Sequence, residues 1–391
     1  MRTFWSSYAS PRLMFGPGVF NELGKAVSQV GGRRVFVITD PVLESLGIVD
    51  RARQALNMEF EVFAGGEIEP STDTVARCAD IAREYGPDTT IAIGGGSNMD
   101  LAKLTCAAVS SGRNPEALLG FDEVPGPVGP LICVPTTAGT GSEASHSAVI
   151  RNSNNGKKEA ALSHYLRPQV AVVDPELTLS CPRKLTAESG IDTLTHAIEA
   201  YLANDYSALI SGEKGTLPYE GNNPLGDLYA EKCIHLVGKC FLDAVRDPKN
   251  LEARGGMSLA ATLGGLAFSN CGVALAHALE YPIGERYKCA HGAGNGIVLP
   301  EVMRYLANAK GDRMAKIGEL LGVDASSEAA IEEVTRLRRE AGLPECLRDV
   351  GAASNDLAAL AATAASLKRL MALSPISPSE ADLRRILEAS F

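Results

Sequence analysis

Thr89–Lys103 reads TTIAIGGGSNMDLAK. Its first five residues, Thr89 to Ile93, are β-branched or small and apolar, the composition of a buried strand. Gly94, Gly95 and Gly96 end that run, Ser97 follows, and a helix is expected from about Asn98. A strand that passes through a glycine turn into a helix is the unit from which parallel sheets are built. Three glycines also let a ligand approach the backbone closely. The helix N-terminus beyond them offers free N–H groups and the positive end of a dipole to a phosphate. The stretch is not the G-x-G-x-x-G dinucleotide fingerprint, because Met99 stands at its last glycine position. Taken alone, it also reads as an ordinary tight turn.

The flanking sequence repeats the strand–helix alternation. Arg34 to Ile38 (RVFVI) is a buried-strand candidate, ended by Thr39-Asp40-Pro41, with helical spacing to about Leu56. Glu59 to Phe63 is a further strand, and Asp73 to Tyr85 a helix with Ser71, Thr72 or Asp73 as its cap. Leu131 to Val134 and Val170 to Val173 complete the apolar runs. After Asp174-Pro175 the period becomes helical to the end, as in Glu188–Leu202, Leu251–Ala267, Arg313–Leu321, Glu328–Ala341 and Glu380–Ala389. The expectation is an α/β domain over 1–180 and an all-helical domain over 181–391. Residues 203 to 226, rich in Gly, Pro and Asn, read as a loop inserted between two helices.

Composition narrows the function. The 391 residues suffice for two cores, and a formal net charge of −10 argues against nucleic acid or an anionic membrane as partner. The nine cysteines include no C-x-x-C pair and read as reduced core residues. The first residues lack a signal-peptide pattern, and no apolar run is long enough to span a membrane, so a cytoplasmic location is expected.

Three further features carry chemistry. Pro135–Glu143 (PTTAGTGSE) sets the hydroxyls of Thr136, Thr137, Thr140 and Ser142 around Gly139 and Gly141, which suits either a polar cofactor pocket or a surface turn. Asp40, at a strand end, is placed to accept hydrogen bonds from the ribose hydroxyls of NAD, or simply to start a turn before Pro41. Asp192 and His196 are four apart and share a helix face, with small and apolar neighbours. His277 and His291 follow in GVALAHALEYPIGERYKCAHGAGNGIVLP, Gly272–Pro300, and His291 precedes a glycine-rich run. One carboxylate and three imidazoles make a ligand set for one divalent ion, a Lewis acid toward alcohol and carbonyl oxygens. The bland alternative is a solvated acid–histidine pair. His146, His164 and His235 read as ordinary polar residues.

Together these motifs resemble the iron-containing (group III) alcohol dehydrogenases. The resemblance runs from Phe15-Gly16-Pro17-Gly18 through GGGSNMDLAK, PTTAGTGSE, Asp174-Pro175-Glu176-Leu177 and GIDTLTHAIEAY to the His277 and His291 segment. It implies a dehydroquinate-synthase-like fold, an α/β nucleotide-binding domain followed by an all-α domain. It implies that Asp192, His196, His277 and His291 ligate Fe2+, with Zn2+ as the alternative. By the same carry-over Gly95, Gly96, Ser97 and Asp100 form the pyrophosphate and nicotinamide-side loop. Thr136, Thr137, Thr140 and Ser142 form a second cofactor loop, Asp40 favours NAD over NADP, and Lys158 is a further cofactor contact. The implied activity is hydride transfer between NAD(H) and a small alcohol or aldehyde, in a homodimer.

The chain departs from the family pattern at Tyr281, where many members carry a second histidine near the substrate. A phenol, with an ordinary pKa of about 10, is a poor base at neutral pH, so Tyr281 is a catalytic candidate with an altered proton route. The loop Tyr219–Asp227 (YEGNNPLGD) and Tyr281-Pro282 resemble the hydroxyacid–oxoacid transhydrogenase branch. That branch, hydroxyacid or semialdehyde dehydrogenases, and a dehydroquinate-synthase-type lyase are the alternative readings.

Overall fold

The computed structural model describes residues 2–8, 11–210 and 217–391. The chain forms two compact units, one of Tyr8–Thr137 with Gly141–Leu179, the other of Ser180–Phe391 with Ala138–Thr140 and a short N-terminal stretch.

Among the described residues the first unit is built on nine strands: β1 Arg12–Phe15, β2 Val35–Ile38, β3 Phe60–Phe63, β4 Thr89–Gly94, β5 Gly120–Phe121, β6 Leu131–Pro135, β7 Ser147–Arg151, β8 Lys158–Leu162 and β9 Val170–Val173. Six form a sheet in the order β1-β9-β6-β4-β2-β3, and every neighbouring pair is parallel. The register pairs Val35 with Thr89 and Thr90 with Leu131. Because side chains alternate across a strand, β2 splits between two cores. Phe36 and Ile38 pack on one face with Met99 and Leu104, and Val35 and Val37 on the other with Phe20 and Leu23. A strand buried on both faces must be apolar throughout, which is why RVFVI and TTIAI announce themselves.

Two features lack such a signal. β1 is a half-exposed edge strand of four residues, pairing only with β9. The small sheet β5-β8-β7 includes Lys158–Leu162, whose KEAAL composition favours a helix. Tertiary pairing overrides that propensity.

The second unit is helical. Its central helix, Arg183–Leu202, is buried continuously from Gly190 to Leu202, all round rather than along one stripe. Around it lie Pro224–Arg246, Leu251–Cys271, Leu275–Tyr287 and His291–Leu306. The expected loop is shorter than 203–226. Asn223 accepts a hydrogen bond from the Gly226 amide and Pro224 takes the first helical position, so the next helix has begun by 224. Residues 211–216 of that loop lie outside the described residues. Among the described residues no single helix is long and apolar enough to cross a membrane.

Candidate active site

The second unit gathers Asp192, His196, His277 and His291. One donor atom from each lies within 4.8 Å of every other. With metal–ligand bonds of about 2.0–2.2 Å, donors on opposite sides of one ion stand about 4 Å apart, so the cluster fits a single ion. Asp192 and His196 sit one turn apart on the central helix. His277 lies in Leu275–Tyr287, and His291 opens His291–Leu306.

Behind the cluster lie carboxylates that the sequence reading missed. Glu199 Oε2 is 2.6 Å from His277 Nδ1, while its Oε1 accepts the Ala276 backbone N–H at 2.6 Å. One buried carboxylate therefore caps the start of a helix and fixes the tautomer of an imidazole. Glu280 Oε2 stands 2.5 Å from His291 Nδ1. With Nδ1 of both rings engaged by carboxylates, Nε2 is left as the lone-pair donor toward the cluster. Asn295, fully buried, donates from Nδ2 to Asp192 Oδ1 at 2.9 Å and lies 3.3 Å from Nε2 of both His277 and His291. The signal that could have found all three is helical spacing: Glu199 is three residues after His196, Glu280 three after His277, and Asn295 four after His291.

The glycine-rich run after His291 is part of a helix, where its role is to permit close packing. A Cβ on Gly292 would lie 1.9 Å from the Glu188 carbonyl oxygen and 3.1 Å from Asp192 Cβ. Only glycine lets this helix approach the one bearing Asp192. A Cβ on Gly294 would stand 2.8 Å from Glu280 Cγ, so that position makes room for the carboxylate behind His291.

The electrostatics suit a cation. Burial works against ionisation of Asp192, but His196, His291, His277 and the Asn295 amide outweigh it and hold the carboxyl below its usual range. Burial pushes the His196 imidazole down to about 4. At neutral pH the pair is an anion beside a neutral imidazole, the protonation states that metal ligation needs. The His196 ring stacks on Phe268 at 4.5 Å and its Nδ1 meets no protein partner. Tyr281 lies close by, with its ring centroid 6.1 Å from His291 and 6.5 Å from His277. Burial pushes its phenol upward, so it remains protonated at neutral pH and has an O–H to donate.

The first unit holds the proposed cofactor residues other than Thr140. Its sheet order turns back between β2 and β4, the arrangement in which open α/β sheets bind ligands at strand carboxyl ends. Asp40 follows β2, and Gly95, Gly96 and Ser97 follow β4. Asp40 Oδ1 accepts the Val42 and Leu43 N–H groups, and Oδ2 accepts Asn98 Nδ2 at 2.7 Å. It is thus a helix cap as well as an acid at a strand end. Gly95 precedes the helix Gly96–Ser111 with no side-chain cap on its first N–H groups. Asp100 accepts from Ser142 Oγ at 2.7 Å and from the Val149 N–H at 2.9 Å.

Lys103, fully buried, was not anticipated in this role. It donates to Ser142 Oγ at 2.8 Å, Ser145 Oγ at 3.1 Å and the Ser147 carbonyl at 2.8 Å, pinning the hydroxyl-rich loop to the helix after β4. Thr136 and Ser142 are buried and Thr137 half-buried, so the loop is not a surface turn. Thr137 borders Gly95, where a Cβ would lie 3.6 Å from its Oγ1. Thr140, half-buried, falls in the stretch Ala138–Thr140 that groups with the helical unit. Lys158 pairs with Glu69 at 2.5 Å.

Residues 10–175 match the family described as iron-containing alcohol dehydrogenase, and residues 218–391 match the Fe-containing alcohol dehydrogenase family, C-terminal. The chain belongs to the iron-containing alcohol dehydrogenase family. It is 36% identical to Long-chain-alcohol dehydrogenase 1 of Geobacillus thermodenitrificans (strain NG80-2), over 97% of this chain and 96% of that protein. It is 32% identical to the mitochondrial hydroxyacid–oxoacid transhydrogenase of Caenorhabditis elegans, over 97% of this chain and 88% of that one. Among solved structures, a 1,3-propanediol oxidoreductase superposes with a TM-score of 0.91 at 30% identity, covering both chains completely. Sulfoacetaldehyde reductase from Bifidobacterium kashiwanohense, in complex with NAD+, gives 0.87 at 27% identity, over 100% of this chain and 99% of that one. The expected architecture, a parallel α/β sheet unit followed by a helical unit, is that of this iron-containing alcohol dehydrogenase and dehydroquinate-synthase-like fold. As a family member the chain is an oxidoreductase with an Asp/His metal site, and NAD is the family's typical cofactor.

Proposed function

We propose that the chain interconverts a small alcohol and its aldehyde, with NAD(H) as the hydride carrier and a divalent ion at Asp192, His196, His277 and His291. The observation that carries this reading is the buried four-donor cluster with carboxylates behind two of its imidazoles. Such an arrangement is built to hold a cation rather than to stabilise a core. A bound ion supplies Lewis acidity to an alcohol or carbonyl oxygen. The donors are one carboxylate and three imidazoles with no thiolate, which suits Fe2+, with Zn2+ as the alternative.

Tyr281 would donate a hydrogen bond to the substrate oxygen and so position it. Gly95, Gly96 and Ser97 would receive the pyrophosphate at an uncapped helix N-terminus. Asp40 Oδ2, which accepts only from Asn98, retains a second lone pair for a ribose hydroxyl, and the carboxylate charge would repel the extra phosphate of NADP. Asp100, Thr136, Thr137, Thr140 and Ser142 would line the nicotinamide side, and Lys158, paired with Glu69, would lie at its margin.

The test is NADH oxidation by anaerobically iron-loaded protein over a panel of aldehydes, with Asp192→Ala and His277→Ala as comparisons. Turnover by the parent, with loss of bound iron and at least about a hundredfold loss of rate in both variants, is expected. Folded variants with full metal content and full activity would falsify the reading. A second reading, a hydroxyacid–oxoacid transhydrogenase, is supported by the Caenorhabditis elegans relative and the Tyr219–Asp227 loop. Its mark would be exchange between a hydroxyacid and an oxoacid without added NAD.

A further inference from the structure

Arg369 lies in the short helix Lys368–Met371 and is half-buried. Its Nη1 donates to Tyr219 Oη at 3.3 Å, and its guanidinium carbon is 5.5 Å from the Tyr219 ring centroid. Tyr219 is itself only 5% exposed. It packs against Gly272, whose φ of +94° suits glycine and where a Cβ would lie 3.1 Å from Tyr219 Cβ. The tyrosine is therefore a fixed support for the guanidinium. The helix Lys368–Met371 packs against Leu275–Tyr287, which carries His277 and Tyr281, and the Tyr281 ring adjoins His277 and His291.

The carboxylates beside His277, His291 and Tyr219 each hold another partner. Glu199 holds His277, Glu280 holds His291, and Glu220 pairs with Arg2 at 2.5 Å. Among the described residues none of the ion pairs involves Arg369. A guanidinium held by an aromatic support, with no carboxylate of its own, has a planar donor fork left for an anion.

We propose that Arg369 is a specificity-determining residue that receives an anionic tail, a carboxylate or sulfonate, on the alcohol or aldehyde reacting beside His277 and His291. This rests on the oxidoreductase reading above and adds a substrate class to it.

The experiment compares matched substrates on metal-loaded protein with NAD+: 4-hydroxybutyrate, 3-hydroxypropane-1-sulfonate and uncharged 1-butanol. Calorimetric binding of the same compounds is measured alongside. A charge-assisted hydrogen bond corresponds to a change of roughly ten- to a hundredfold. Arg369→Gln is expected to lose that much kcat/KM on the anionic substrates, mainly through KM, with less than about a twofold change on butanol. Arg369→Lys should recover part of the loss. Whichever anion the parent prefers identifies the source of the charge. In the parent, raising salt should raise KM for the anions alone, a readout independent of any variant's folding. No preference for an anion, or equal losses on charged and uncharged substrates, overturns the proposal. If the parent turns over none of the three, the small alcohol–aldehyde reading fails. Calorimetry then decides this one: Arg369-dependent anion binding sustains it, and anion binding that is absent or unchanged in Arg369→Gln overturns it.

Discussion

Glu199→Gln tests whether the carboxylates behind the histidines do the work assigned to them. The change is isosteric; it removes the carboxylate charge and replaces one of its two acceptor ends with a donor. Glu199 is 4% exposed and accepts from two donors at 2.6 Å, the Ala276 N–H and His277 Nδ1. A glutamine has one acceptor and one donor end, so it can satisfy only one of them. With its oxygen toward His277, its amide faces the Ala276 N–H and leaves a buried donor unpaired, at a cost of about 1–3 kcal/mol. With its oxygen toward Ala276, its amide donates to Nδ1 and drives the imidazole proton to Nε2, the atom that faces the other ligands. Either way the pre-set donor is lost. Removing a partner of this kind weakens metal binding by about ten- to a hundredfold, or about 1.4–2.8 kcal/mol. The assay is chelator competition with Fe2+ under anaerobic conditions and with Zn2+, with urea unfolding of the metal-free protein in parallel. Metal affinity within about twofold of the parent, with unchanged metal-free stability, would refute the reasoning. It would mean that packing alone orients His277.

Lys103→Met should destabilise the first unit by about 1–3 kcal/mol, because Ser142, Ser145 and the Ser147 carbonyl lose their shared donor and Asp100, 4.0 Å away, loses its cation. Urea unfolding checks this, and a loss below about 1 kcal/mol would show that the lysine is dispensable. The His164 imidazole is held down to about 4 by burial and then by the Arg167 charge, against a usual 6.5. Between those values the unfolded chain binds more protons than the folded one, so this contribution is fully present above about pH 6.5 and is lost as pH falls toward 4. His164→Gln should make the acid limb of stability against pH shallower; superimposable slopes would count against it.

Much of the fold was legible because burial on both faces demands uninterrupted apolar strands. RVFVI, TTIAI and Val170–Val173 cannot be amphipathic, and the glycine turn after TTIAI has to end one element and start another. The metal-type residues were legible for a related reason, since three of the chain's six histidines fall with an aspartate in two short motifs. Other features had no local cause to leave a mark. β1 is a strand only because β9 lies beside it, and KEAAL is a strand only because β7 does. Glu199, Glu280 and Asn295 look like any helical polar residues until helix packing turns them toward Asp192, His277 and His291. The glycines after His291 read as a flexible run, yet they are helical, because the Glu188 carbonyl leaves no space for a Cβ. Sequence determined which chemical groups were available and the period of the elements that carry them. Only the tertiary structure decided which atoms meet, because hydrogen bonds and metal-type geometry are set by contacts between residues far apart in the chain, 103 positions in the case of Asp192 and Asn295.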